Sequence, residues 1–193
     1  MASPSLTTTS AFADRCGLAC RNLTINTRDS LTLASFAAAE GKTAALNDAI
    51  SNAYTINLPA IGRWAQGQDI CFLWNGPEQW LALAERSNDR DLERELKSRV
   101  AGLASVVDQS DARAVVRVAG PRARDVLAKG VPIDLHPRAF QPGEVAITHA
   151  NHIGIMLWQL DTHPTYEIAL FRSLAHSFAD WLDAAALEFT QSD

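Results

Sequence analysis

The chain has 193 residues, 47% of them hydrophobic and 20% charged, and a formal net charge of −5. That length buries a proper core, as one domain or a two-lobed one. The acidic balance argues against a general nucleic-acid binder or an anionic-membrane binder, which need a basic face, and no apolar run approaches the ~20 residues that span a bilayer.

Residues 1–17 are small and polar and read as a flexible N-terminal arm. The remainder, 18–193, reads as a single compact or two-lobed domain. The first basic residue is Arg15, so the start lacks the positive segment of a secretory signal. Three cysteines, Cys16, Cys20 and Cys71, cannot form a fully paired framework and fit a reducing cytoplasm.

Leu31 to Ala37 alternates as a strand. Glu40 to Ala53 is Ala-rich, with Leu46, Ala49, Ile50 and Ala53 on one helical face. Ile70–Trp74 and Trp80–Ala84 flank Asn75-Gly76-Pro77-Glu78, which predicts a hairpin. Asp89 to Val100 is amphipathic, with Leu92, Leu96 and Val100 in register and Glu93 four residues before Lys97.

Val106 to Gly143 carries the densest set of cues. A strand ends in the turn Gln109-Ser110-Asp111, and a second strand, Ala114 to Val118, holds one polar residue, Arg117. Gly120-Pro121 opens a short helix, since proline suits a first helical turn. Gly130 reads as its left-handed end. Pro132, Pro137 and Pro142 then exclude a long regular element. Three strands follow, Glu144–Ala150, His152–Leu160 and Thr165–Leu170. The last helix runs from an N-cap at Ser173 to about Phe189, with Leu174, Phe178, Trp181, Leu182 and Ala185 on its buried stripe. The order predicts an α+β fold of mainly antiparallel sheets with helices packed on one face.

The search for chemistry is mostly negative. There is no G-x-G, hence no dinucleotide fingerprint or phosphate loop, and no G-x-S-x-G elbow. His149 and His152 are three apart on strand-like sequence, where side chains point to opposite faces. Asp108 and Asp111 read as turn-capping carboxylates. Arg122 and Arg124 fall in the first turn of the Pro121 helix, where cations oppose the dipole. Their partner is a carboxylate of this chain, an acidic group of another subunit or a bound anion. Trp74 and Trp80 join them as candidate subunit contacts, because aromatics are enriched at interface cores.

These residues carry a resemblance. Val106-Val107-Asp108-Gln109-Ser110-Asp111 and the run from Val118 to Glu144 resemble the gamma subunit of heterotetrameric sarcosine oxidase. So do Leu73-Trp74-Asn75-Gly76-Pro77-Glu78-Gln79-Trp80-Leu81 and Phe171-Arg172-Ser173-Leu174-Ala175. The match covers Ile70 to Phe189. The core Gly120-Pro121-x-Ala123-x-x-x-Leu127 is shared with the wider folate-binding fold of the glycine-cleavage T-protein. Asp134-Leu135-His136-Pro137 and Phe140-x-Pro142-Gly143 sharpen it to the gamma branch.

The resemblance implies a T-protein-like fold and a non-catalytic subunit with no cofactor, metal or catalytic residue of its own. It implies a complex that demethylates sarcosine oxidatively to glycine and hydrogen peroxide, with one-carbon transfer to tetrahydrofolate. FAD, FMN, NAD, zinc and tetrahydrofolate are implied for the partner subunits. The alpha subunit is the main expected contact, with beta and delta completing the assembly. Val131 departs from the pattern, in that members of the family often have Cys there. The same residue counts against iron–sulfur-related folate proteins with a Lys-Gly-Cys motif. Two alternatives stay open: a free-standing folate-binding protein, and the same subunit role in an oxidase or dehydrogenase for another secondary amine.

Overall fold

The computed structural model describes residues 9–13, 15, 17–87 and 90–190. Eleven strands are described: β1 (Leu18–Cys20), β2 (Leu23–Thr27), β3 (Leu31–Ala38), β4 (Trp64–Gln66), β5 (Cys71–Gly76), β6 (Gln79–Glu85), β7 (Ala104–Asp108), β8 (Arg113–Ala119), β9 (Val145–Ala150), β10 (Ile153–Asp161) and β11 (Thr165–Phe171). Four helices join them: α1 (Thr43–Tyr54), α2 (Leu92–Arg99), α3 (Ala123–Ala128) and α4 (Ala175–Thr190). A 3-10 turn, Arg172–Leu174, leads into α4.

The strands form two sheets, in the orders β1-β2-β8-β11-β10-β9 and β4-β5-β6-β3-β7. Every pairing among the described strands is antiparallel. Period-two alternation explains how the sheets stack. Leu31 and Leu33 of β3, Leu81 and Leu83 of β6, Val115 of β8 and Met156 and Trp158 of β10 share one cluster, so the sheets pack face to face. The intervening residues face outward onto helices. Val116, Val118, Ile155, Leu157, Ile168 and Leu170 meet α3 and α4. Phe36, Phe72, Trp80 and Ala82 meet α1 and α2. Each sheet therefore carries helices on one face only, as expected from the order of elements.

Local chemistry moves several boundaries. α1 begins at Thr43 rather than Glu40, because Gly41 takes φ +67° and breaks the helical path just before it. α2 begins after Asp91, whose side chain accepts the Arg94 amide at 2.9 Å. Asp89 lies outside the described residues. The Glu93–Lys97 pair forms at 2.8 Å.

The Pro121 helix is corrected in two ways. It starts at Ala123, with Arg122 as N-cap and no side-chain cap, so Pro121 sits ahead of the helix. Gly130 is not left-handed. It is needed for space, because a Cβ there would lie 2.6 Å from the Trp181 ring. Gly120 does carry a positive φ, +110°, and a Cβ on it would stand 2.6 Å from the Asn22 carbonyl oxygen.

Ser173 is also corrected. It lies inside the 3-10 turn, and the residue ahead of that turn, Phe171, gives no side-chain cap. Leu174 is partly exposed, while Phe178, Leu182 and Ala185 are buried. Much of the expected arm, residues 1–8, 14 and 16, lies outside the described residues. Of its described part, Ala11 and Phe12 are buried in the core against the larger sheet. Arg15 pairs with Asp180 of α4. The stretch around Phe12 is thus packed, since a fully buried phenyl ring contributes about 1.5–3 kcal/mol of transfer free energy.

Candidate functional site

The four residues proposed as subunit contacts end in different places. Trp80 is corrected: it is buried, donates its indole N–H to Pro59 O at 2.9 Å, and stacks on Phe36. Alternation on β6 turns it toward the helical layer, so it offers no surface to a partner. Trp74, across the hairpin from Trp80, is half-buried between two core clusters. Arg124 is half-buried as well. It donates to Leu135 O at 3.0 Å and lies over the Tyr166 ring at 5.9 Å. Arg122 is exposed. It pairs with Asp125 at 2.9 Å and leans over Phe189 at 5.6 Å. Of the four, Arg122 keeps the most accessible charge.

Other flagged groups have local roles. Asp108 Oδ1 accepts from the Ser110 amide at 3.0 Å and from its hydroxyl at 2.6 Å, which is turn chemistry. His136 Nδ1 accepts the Arg138 amide. Asn151 and His152 both have positive φ and form the tight turn between β9 and β10, while His149 is exposed on β9. Cys16 lies outside the described residues. Cys20 donates to Leu23 O at 3.3 Å. Among the described residues no three His, Cys, Asp or Glu side chains cluster as a metal site would require.

The densest polar cluster lies between the sheets, and sequence reasoning caught only one member of it. Arg117 of β8 and Glu167 of β11 are cross-strand partners. Arg117 donates through Nε at 3.0 Å and Nη2 at 2.6 Å, both to Glu167 Oε1. Arg28, in the link from β2 to β3, brings its Nε to 3.0 Å from the same oxygen. It donates through Nη2 to Glu85 at 2.6 Å. Ser30 adds a 2.8 Å bond to Glu85. Glu167 is 6% exposed, and the two guanidinium groups stand against one of its oxygens. The signal for this cluster was two opposite charges inside apolar strands, Val116-Arg117-Val118 and Tyr166-Glu167-Ile168.

Electrostatics follow from burial and these partners. Burial acts to raise the Glu85 carboxyl. Hydrogen bonds from Ser30 and Arg28, with the nearby cationic charge, overcome it and hold Glu85 below the ordinary range. Burial pushes the Cys71 thiol up to about 12, helped by the charge of Glu167. Cys71 is therefore a neutral thiol near neutral pH, without the activation a nucleophile needs.

A cavity of about 200 Å³ opens beside the cluster, lined by residues that include Trp64, Cys71, Glu85, Arg117, Trp158 and Glu167. It falls below the ~300–1,000 Å³ of pockets for drug-sized ligands. A flavin or nicotinamide dinucleotide does not fit it.

The comparisons with known proteins agree on one family. The model of the sarcosine oxidase, gamma subunit family matches residues 37–188. The sarcosine oxidase gamma subunit of Arthrobacter sp. is 32% identical over 147 residues, 76% of this chain and 70% of that one. Its counterpart in Corynebacterium sp. strain P-1 is 32% identical over 153 residues, 77% and 71% of the two chains. Among solved structures, a chain of heterotetrameric sarcosine oxidase from Corynebacterium sp. U-96, in complex with pyrrole 2-carboxylate, superposes with TM-score 0.79 at 27% identity. The match covers 92% of this chain and 91% of that one. The glycine cleavage system aminomethyltransferase T of Bartonella henselae shares the fold, with TM-score 0.64 at 17% identity over 84% of this chain and 45% of that one.

Proposed function

Since this chain belongs to the sarcosine oxidase gamma subunit family, we propose that it is a non-catalytic structural subunit of a sarcosine oxidase-like heterotetramer. The complex oxidatively demethylates sarcosine to glycine, releases hydrogen peroxide and passes a one-carbon unit to tetrahydrofolate. FAD, FMN, NAD, zinc and the folate belong to the partner subunits, and the alpha subunit is the main contact. The complex works in the cytoplasm.

The observation that carries this reading is the extent of the likeness. A chain from a heterotetrameric sarcosine oxidase matches nearly end to end, at 92% and 91% of the two lengths. The site chemistry is in keeping with it. The inter-sheet carboxylate is locked by two guanidinium groups, and the neighbouring thiol is held neutral. Neither is set up as a general base or a nucleophile.

Co-expression of this chain with the products of its neighbouring genes tests the proposal. The expected result is a stable complex that oxidises sarcosine with hydrogen peroxide formation, and no oxidase activity from this chain alone. Assay of the complex with other N-methyl amino acids identifies the substrate. A folate-binding role for the free chain is tested by calorimetry with a reduced folate.

A further inference from the structure

Strand β8 turns two arginines, Arg113 and Arg117, to the same side, the side that meets the smaller sheet. Arg117 stands across from Glu167 and pairs with it. Arg113 stands across from Phe171, so a ring takes the place of the carboxylate. Its guanidinium lies over that ring, 4.1 Å from the centroid. Stacking fixes the guanidinium plane but uses none of its N–H donors, which lie in that plane. Among the described residues Arg113 has no ion pair and no side-chain hydrogen bond. Burial pulls its pKa below the ordinary value, and no carboxylate opposes that shift. A half-buried cation without a counter-charge is costly.

Arg113 lines a second cavity, of about 40 Å³. Only its Nε is closed off from solvent; the two terminal nitrogens stay within reach. The Arg172 amide donates to Ala112 O at 2.9 Å, which sets Arg172 beside Arg113 on the cavity wall. Arg28 and Arg86 also line it, with Asp29 and Asp111. Arg28 is committed to Glu85 and Glu167. Asp29 accepts the Ser10 hydroxyl on one oxygen and the Thr27 hydroxyl on the other. Three arginines without an ion pair among the described residues therefore face two aspartates. That is a local excess of positive charge in a chain of net charge −5. One water occupies about 10–15 Å³ of such space, so the cavity takes an ion of a few heavy atoms and excludes a nucleotide.

We propose that this cavity binds a small inorganic oxyanion of the size and charge of phosphate. The terminal nitrogens of Arg113 form a planar fork that suits two oxygens of one ion, and Phe171 holds that fork in place. Arg172 and Arg86 add charge around it. The anion supplies to Arg113 the counter-charge that Glu167 supplies to Arg117. The site is complete within this chain and goes beyond the structural role proposed above.

Calorimetry of the full chain with inorganic phosphate tests the proposal, at constant ionic strength set with sodium chloride. Arg113→Gln removes the fork, and Arg138→Gln removes an exposed arginine outside the cavity as a charge-matched control. The expected result is saturable binding that Arg113→Gln weakens by about tenfold or more and Arg138→Gln changes by less than about twofold. Should Arg113→Gln fold poorly, Arg172→Gln takes its place with the same direction of effect. No saturable heat up to roughly 10 mM phosphate, or equal losses in the cavity and control variants, overturns the proposal.

Discussion

Glu167 Oε1 accepts two hydrogen bonds from Arg117, through Nη2 at 2.6 Å and Nε at 3.0 Å, and stands 3.0 Å from Arg28 Nε as an ion pair. The pair Arg117–Glu167 bridges adjacent strands of the larger sheet on the face that meets the smaller one. Arg28 carries the network on to Glu85 at the end of β6, so the cluster ties the two sheets together.

Removing the carboxylate strips Arg117 of its partner and leaves it beside Arg28, which keeps Glu85 as its counter-charge. Breaking a buried pair costs ~3–5 kcal/mol, and the partial exposure of both arginines reduces this. Glu167→Ala is expected to lower stability by about 2–3 kcal/mol. Urea unfolding measures it, and a change within about 0.5 kcal/mol would show the cluster to be energetically idle.

Glu85 sets a pH dependence of definite sign. Its folded pKa lies below the ordinary value of 4.5. The contribution to stability is therefore present above that value and is lost as pH falls through the lowered folded value. Glu85→Gln is expected to lower stability at neutral pH, where the charge contributes, and to change it little in acid, where that contribution is already lost, so the acid side of the profile flattens. Parallel unfolding curves in acid and at neutral pH check it.

The Gly130–Trp181 contact is a matter of space. A methyl at Gly130 falls 2.6–2.7 Å from three atoms of the indole. Gly130→Ala is expected to cost about 1–3 kcal/mol through overpacking, and Gly130→Ala with Trp181→Leu to recover part of it. Thermal melts of the single and double variants decide; two strictly additive losses would refute the clash.

Arg122 separates docking from folding. It is exposed, and it pairs with the exposed Asp125. Arg122→Glu is expected to change stability by no more than about 0.5 kcal/mol while slowing or weakening subunit association. Unaltered assembly would remove Arg122 from the proposed contact surface.

Much of this fold was legible because its strands alternate or run apolar between strong turn residues. The Trp74–Trp80 hairpin, the Glu93–Lys97 pair and the β7–β8 turn emerged close to their observed places. β1 and β4 have three residues each and are too short to show a period. Gly130 was misread because its requirement is a neighbour, Trp181, 51 positions away, and no local pattern records that. The charge cluster was half visible. Arg117 stands out as a lone cation in an apolar strand, but the rest of the cluster arrives from residues 28, 85 and 167, which only the sheet order brings together. Trp80 was proposed for an interface on residue type alone, and strand alternation buried it.

The central claim is that this chain works as a structural part of a larger oxidase, and subunit stoichiometry tests it most directly. Native mass spectrometry of the affinity-tagged full chain, co-expressed with the products of its neighbouring genes, is expected to show one copy in a four-chain complex that oxidises sarcosine. A stable free chain that ignores those partners, with the sarcosine-oxidising activity intact in its absence, would contradict it.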